Sequence, residues 1–394
     1  MGIAGDRWRL TAATAMGAMA VSALVQYGVA ALAPFLVADM GLSRAAVGGL
    51  VTAAFAVAAG GSVVAGHLVD LLGARIGLVL LCLAVATGLL GAAAAGTYVV
   101  LAVAVAVAGL GQALANPATN VLVAGATPSD RRGAAIGVKQ AGVQVAAFGT
   151  GLVLPVVAAA GGWRAALGWT ATLPAVLLVV VWRLVPARGP GRGAGRRRWS
   201  APSRWLRWLV AYSLLLGAGL SAVTTYLSLY AVQRLGLAEW TGGMVLAALG
   251  VTGLVSRVLW GRWADRLADL TVALAWLPAA AVGAASLLWA SGPVWSGLVW
   301  LGAVGVGGSA TAANAISMLA VVRRGGPTGH ASGLVSVGFF GGFVVGPALF
   351  GVVADRSGYG WAWLVVAVCF AGAALTSLRI RAVNRQPATV AAGT

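Results

Sequence analysis

Apolar residues run along this chain in blocks of about twenty, separated by short breaks that hold nearly every charge. At about 1.5 Å rise per residue, a block of that length is a helix that crosses a bilayer core. Twelve blocks can be marked. In the first half they cover 10–36, 45–69, 76–96, 98–125, 133–160 and 164–182. In the second half they cover 205–232, 238–260, 268–290, 294–320, 330–353 and 359–378. The pattern predicts an all-α membrane protein with twelve transmembrane helices. Arg7 and Arg9 ahead of the first block resemble the start of a signal peptide. The block is long, however, and no clean cleavage site precedes the next polar sequence, so it is read as a span.

Composition agrees. Of 394 residues, 60% are hydrophobic and 9% charged, against about 25% charged in a soluble domain. The formal charge of +18, from 26 Lys+Arg against 8 Asp+Glu, would suggest nucleic acid in a soluble protein. Here the arginines sit between apolar blocks, where they set topology, and no nucleic-acid partner is expected. With the N-terminus inside, twenty of the cations fall on the cytoplasmic side. Four (Arg44, Arg164, Arg234 and Arg356) fall outside, and Lys139 and Arg257 lie within blocks. Both termini are therefore expected in the cytoplasm of a multi-pass plasma-membrane protein. Residues 183–204, rich in Arg, Gly and Pro, cannot bury a core and read as a cytoplasmic linker. The expected domains are thus 1–182, the linker 183–204, and 205–394. Cys82 and Cys369 lie in different blocks and read as small apolar packing residues.

The two halves match at an offset of 195 to 196. Gly66 and Asp70 pair with Gly261 and Asp265; Gly109 and Gly111 with Gly305 and Gly307; Gly137, Gly142 and Gly162 with Gly333, Gly338 and Gly358. Six spans followed by six copied spans is a plan used by secondary transporters, with the site near midplane between the halves.

The second block ends in Gly66-His67-Leu68-Val69-Asp70-Leu71-Leu72-Gly73-Ala74-Arg75. This resembles the cytoplasmic loop motif of the major facilitator superfamily, Gly-x-Leu-x-Asp-Arg-x-Gly-Arg-Arg. A second copy, Gly261-Arg262-Trp263-Ala264-Asp265-Arg266, follows the eighth block. The resemblance covers essentially the whole chain. It implies two pseudo-symmetric six-helix halves and a conformational latch formed by Gly66, Asp70, Gly73, Arg75, Gly261, Asp265 and Arg266. Leu71 and Ala74 stand where the family carries basic residues, and the second copy lacks the later glycine. The fourth span has no arginine, which many proton-coupled members carry there. The Gly-Pro pair that accompanies drug–proton antiport in the fifth span occurs instead in the eleventh, as Gly346-Pro347.

Every acid lies in a loop or at a block end, so no carboxylate is available deep in a span to bind a cation or proton. Two cations are. Lys139 lies about 10 Å into the fifth block and Arg257 about 12 Å into the eighth. A charge at mid-helix costs roughly 2.5–3.5 kcal/mol on insertion scales. One explanation is snorkelling to the interface; the other is a clamp for an anionic solute, Arg257 by its bidentate fork and Lys139 as a point charge. Gln112, Asn116 and Asn120, spaced by four, share one face of the fourth span, and Gln140 and Gln144 one face of the fifth. Gln26 and Tyr27 in the first span, Tyr226 and Tyr230 in the seventh and Asn314 in the tenth complete the candidate solute site. By the resemblance, the first, fourth, seventh and tenth spans line the cavity and the fifth and eighth face each other; by the residues alone, the same amides could bond between helices.

The sequence offers no nucleophile–His pair, phosphate-cradling loop or metal set, so an enzyme is not expected, nor a cofactor. The reading is a monomeric secondary transporter in the lipid bilayer. It moves a small solute, an organic anion such as a carboxylate, with a proton or counter-ion as the coupled species. The alternative is efflux of drug-like hydrophobic compounds.

Overall fold

The computed structural model describes residues 3–128, 131–187, 202–264, 266–267, 269–324 and 328–385. Asp265 and most of the 183–204 linker lie outside the described residues.

Eleven helices run through the described residues: α1 (Ile3–Met40), α2 (Arg44–Ala93), α3 (Tyr98–Ala126), α4 (Arg132–Thr170), α5 (Thr172–Leu184), α6 (Arg204–Gln233), α7 (Glu239–Ala264), α8 (Leu270–Ala290), α9 (Leu298–Arg324), α10 (Thr328–Ser357) and α11 (Tyr359–Arg385). They supply ten stretches long and apolar enough to cross a membrane. Two of these, Arg44–Ala93 and Ala134–Leu184, are 50 and 51 residues long, which is room for two crossings each.

Glycine divides them. Gly73 (φ 83°, ψ 169°) interrupts α2 and Gly162 (φ 81°, ψ 160°) interrupts α4. A side chain is strained in that left-handed region, so glycine permits the reversal. The second and third spans are therefore the two parts of α2, and the fifth is α4 up to Gly162. The sixth is the remainder of α4 with α5. Helices α6 to α11 are the seventh to twelfth spans, which gives the twelve expected.

The repeat is visible in packing as well as in sequence. Gly142 of the fifth span sits against the backbone of Met16 and Ala20 in the first. Its counterpart Gly338 of the eleventh sits against Val210 in the seventh. In both cases a Cβ would collide with backbone, so the glycine sets how closely the helices approach. Gly162 and Gly358, also paired by the repeat, both take positive φ (81° and 84°) and open the last span of each set of six.

The first span packs on the seventh, the second on the eleventh and the fifth on the eighth. These three contacts join spans one to six with spans seven to twelve. The span ends carrying most of the arginines form one face, called Arg-rich below; the opposite ends form the Arg-poor face.

Candidate functional site

Asn116 and Asn120 stand one turn apart on α3, as their spacing of four requires, with Pro117 inside the helix at the same level. Lys139 of the fifth span points between them and is 1% exposed. Its Nζ donates to Asn116 Oδ1 at 3.2 Å and to Asn120 Oδ1 at 2.5 Å. Snorkelling is therefore not what the structure shows: the ammonium is sequestered, and neutral amide oxygens meet it in place of a carboxylate.

Arg257 of the eighth span turns toward the fifth. Its Nη1 donates to the Gln140 carbonyl oxygen at 3.2 Å. Gln140 thus contributes its backbone. The Arg257 Nε is buried with no hydrogen-bond partner among the described residues. Tyr27 of the first span lies close enough for its phenol and the guanidinium to interact electrostatically. Gln144, one turn beyond Gln140, is buried against Gly253 and Thr311, and its Oε1 has no partner. Ser256 bonds to the Gly307 carbonyl oxygen at 2.9 Å and to Thr311 at 3.2 Å, fixing the eighth span to the tenth.

Two polar groups thus form back to back on the fifth span: Lys139 with Asn116 and Asn120, and Arg257 with Tyr27, Gln140 and Gln144. Gln26 Nε2 and Asn314 Oδ1, in the first and tenth spans, are also buried without partners among the described residues. Buried polar atoms are normally paired, so four orphaned groups on spans one, five, eight and ten ask for an occupant or water. Gln112 is half-buried.

Tyr226 and Tyr230 are placed elsewhere. The Tyr226 hydroxyl donates to the carbonyl oxygens of Arg44 (2.6 Å) and Pro347 (3.0 Å) at the Arg-poor end. The Tyr230 hydroxyl bonds to the Leu288 carbonyl oxygen (3.0 Å) and to Ser291 Oγ (2.9 Å). Both pack in an aromatic cluster with Phe350, Tyr359 and Trp363.

Of the motif residues, Asp70 is exposed and has no partner among the described residues. Arg75 donates to the Trp182 carbonyl oxygen at 3.0 Å and lies over its ring at 4.0 Å, tying the third span to the sixth. Gly261 closes in α7, Arg266 is exposed, and Asp265 lies outside the described residues.

Sequence reasoning missed two arrangements. Arg323 donates to the Ala264 and Leu267 carbonyl oxygens, so the tenth span caps the end of the eighth. Arg44, counted only as a topology charge, is tied to the eleventh span through Ala354 and Asp355. An acid-arginine pair at two loop ends 311 residues apart carries no local signal that they meet.

A family model described as the Major Facilitator Superfamily matches residues 15–329. The chain belongs to that superfamily. It is thus a multi-pass membrane protein and a secondary transporter, and the family is not an enzyme family. Its curated relatives include uncharacterized MFS-type transporters from two strains of Mycobacterium tuberculosis, 26% identical over 379 residues, covering 92% of this chain and 83% of each relative. Two crystal structures share the fold. The nucleoside transporter NupG superposes with a TM-score of 0.72 at 14% identity, over 93% of this chain and 98% of its own. A D-xylose-proton symporter superposes with a TM-score of 0.73 at 15% identity, over 95% of this chain and 96% of its own. At that identity the likeness concerns the fold alone.

Proposed function

We propose that this superfamily member carries a small organic anion, a carboxylate in the simplest case, by alternating access between its two six-helix halves, and that Arg257 pairs with the anionic group. The observation that carries the reading is the state of Arg257. One nitrogen is anchored on the fifth span and Nε, part of the guanidinium fork, is buried without a partner among the described residues. Removing such a donor from water without pairing it is costly, and a carboxylate would satisfy it by a charge-assisted bond. The eight acids all sit in loops or at span ends, so the chain has no deep carboxylate to serve instead. The unpaired Gln26, Gln144 and Asn314 amide atoms offer such a solute neutral donors and acceptors around the charge. Lys139 contributes positive field from behind Gln140, where two of its three donors are taken by Asn116 and Asn120.

The deciding experiment is a thermal-shift and binding screen of the purified protein against anionic, neutral and cationic solutes. Stabilisation by a carboxylate class is expected, with loss of the shift in Arg257→Gln. A preference for cations would end the anion reading and leave efflux of drug-like compounds in its place. The plasma membrane and cytoplasmic termini belong to the same proposal and rest on the arginine imbalance. Reporter fusions at Ala194 and at the C-terminus should report cytoplasm, and one at Gly292 the outside; a C-terminus on the outer side would sink the orientation.

A further inference from the structure

We infer that the Arg-poor face carries a latch of its own, in which Asp355 holds the first turn of the second span, and that this latch is the counterpart of the Asp70 motif at the opposite face. The inference rests on the alternating-access reading above.

The spacing comes first. Gly351, Asp355 and Gly358 at the end of the eleventh span repeat Gly66, Asp70 and Gly73 at the end of the second: an acid four residues after one glycine and three before another. The later glycines share a left-handed backbone, φ 84° and 83°. Gly162 ends the fifth span with φ 81°, yet Ala159 stands where the acid would be. The eighth span repeats the first glycine and the acid, Gly261 and Asp265, without the later glycine, so the full spacing marks the second and eleventh spans, which pack on each other.

Next comes what Asp355 touches. Its two carboxylate oxygens accept the backbone N–H of Arg44 at 3.1 Å and of Ala45 at 2.8 Å. These are the first two residues of α2, whose amides have no partner within the helix and lie at the positive end of its dipole. Gly351 allows the approach: Ala45 Cα and the Arg44 carbonyl oxygen lie 2.7 Å from where a Cβ would stand. The Arg44 side chain closes over the contact. It donates to the Ala354 carbonyl oxygen at 3.1 Å and to Gln233 Oε1 at 3.2 Å, and it lies over the Tyr359 ring at 4.6 Å.

The other face shows the same motif unmade. Among the described residues, no neighbouring element comes within 4 Å of the place a Cβ would take on Gly66, and Asp70 is exposed without a partner. Among the described residues one latch is made where its counterpart is not, as two-state exchange requires. Asp355 and Arg44 are therefore positioning residues of the transport cycle: they set the ratio of the two states and do not touch solute.

The test uses the full chain with Cys82→Ala and Cys369→Ala, spin-labelled on cysteines at Ala160 and Ala238 for the Arg-poor face or at Ala134 and Trp263 for the Arg-rich face. Pulsed spin-resonance distances are read in lipid nanodiscs. Asp355→Asn should raise the ratio of long to short Arg-poor distances about tenfold, the factor expected for weakening a charge-assisted bond. The Arg-rich distance should shorten in the same sample, which local fraying would not produce. Asp355→Glu should restore the wild-type ratio, and Asp70→Asn should keep the Arg-poor face short. Arg44→Gln leaves the carboxylate in place and should shift the ratio the same way by less; it carries the test if Asp355→Asn does not fold. Wild-type distances in folded Asp355→Asn and Arg44→Gln, while an added solute or Asp70→Asn moves them, would overturn the latch and leave alternating access standing. Distances that no variant and no solute can move would overturn both.

Discussion

The two faces of this transporter draw on the same kinds of polar group, arginines, carbonyl oxygens and carboxylates, and use them differently. At the Arg-poor face one set of bonds runs between the halves, Arg44 to Ala354 and Asp355, Tyr226 to the Arg44 carbonyl oxygen, and, deeper, Thr52 to the Val344 carbonyl oxygen at 2.8 Å, beside others that stay inside one half, such as Arg164 to Asp39 and Tyr230 to Ser291. Phe55 and Phe343 continue the seam with ring centroids 4.5 Å apart. At the Arg-rich face the named bonds stay inside one half. Arg75 reaches the sixth span from the third, Arg132 returns to the Ala124 and Thr127 carbonyl oxygens, Arg323 caps the eighth span, and Arg324 bonds to Asn384 in the twelfth. The difference separates two jobs for similar chemistry. Bonds inside a half keep a rigid body rigid, whereas bonds between halves must break in every cycle and so define the state of the machine. The structure is closed at the Arg-poor face.

The most severe way to break that comparison is to fill the space the closed face depends on. Gly351→Leu places a branched side chain against the Arg44 and Ala45 backbone, which cannot yield without parting the second and eleventh spans. Closure at that face, and with it transport, is expected to fall more than tenfold. Gly66→Ala at the matching position of the other motif meets no neighbouring element among the described residues and should leave the thermal midpoint of the purified protein within about 2 °C. Midpoints and transport measured side by side decide it. Equal loss in both variants would mean that the two faces do not differ in the way described.

How much of this could be read from sequence varied with the range of the interaction. Span positions follow from a local count of apolar residues and agree with the helices to within about four residues, except that the first helix starts, and the last ends, seven residues beyond the expected span. The breaks in α2 and α4 fall at Gly73 and Gly162, close to the expected boundaries, because a left-handed glycine is also a local property. Lys139 and Arg257 stood out because a charge inside an apolar block is conspicuous, but what they bond to was not legible. Lys139 finds partners 23 and 19 residues away on α3, and the same i to i+4 spacing would have served a cavity lining equally well. Tyr226 and Tyr230 were expected to line a cavity because the seventh span does so in the family. Their hydroxyls instead bond at the Arg-poor end, since the span crosses the full membrane and its last turns lie well beyond midplane. Arg44 with Asp355 had no sequence signal at all beyond the repeated glycine spacing.

A smaller effect is expected at the level where the two faces meet. Arg257→Gln removes the charge and the fork but keeps a polar side chain at a buried position. If an anion is held there, its apparent Kd should rise about tenfold, less than the roughly 2–5 kcal/mol of truncating a buried charge pair because the glutamine amide still bonds. Arg257→Lys should recover only part, because a point charge replaces a fork. Expression and thermal stability are the necessary control, because a lost bond to the Gln140 carbonyl oxygen loosens the fifth and eighth spans. Folded Gln and Lys variants with wild-type affinity would remove Arg257 from the site.

The smallest effect should come from Lys139→Gln, and its size separates two roles for a buried charge. The glutamine amide carries two N–H donors, so it can still serve Asn116 and Asn120 as the ammonium does. The packing of the fifth span on α3 is thereby kept, and only the charge is deleted. If Lys139 acts on the solute through space from behind Gln140, the lost attraction is about 1 kcal/mol or less through polar surroundings, which raises the apparent Kd of an anion by roughly fivefold at most. The loss should grow at low ionic strength when the central site is open to solvent, since screening falls with added dilution. If the lysine is purely a bracket between two helices, the affinity should be unchanged at every salt concentration. A loss larger than that of Arg257→Gln would reverse the assignment, making Lys139 the direct partner of the solute and Asn120 the group that gives way when it binds.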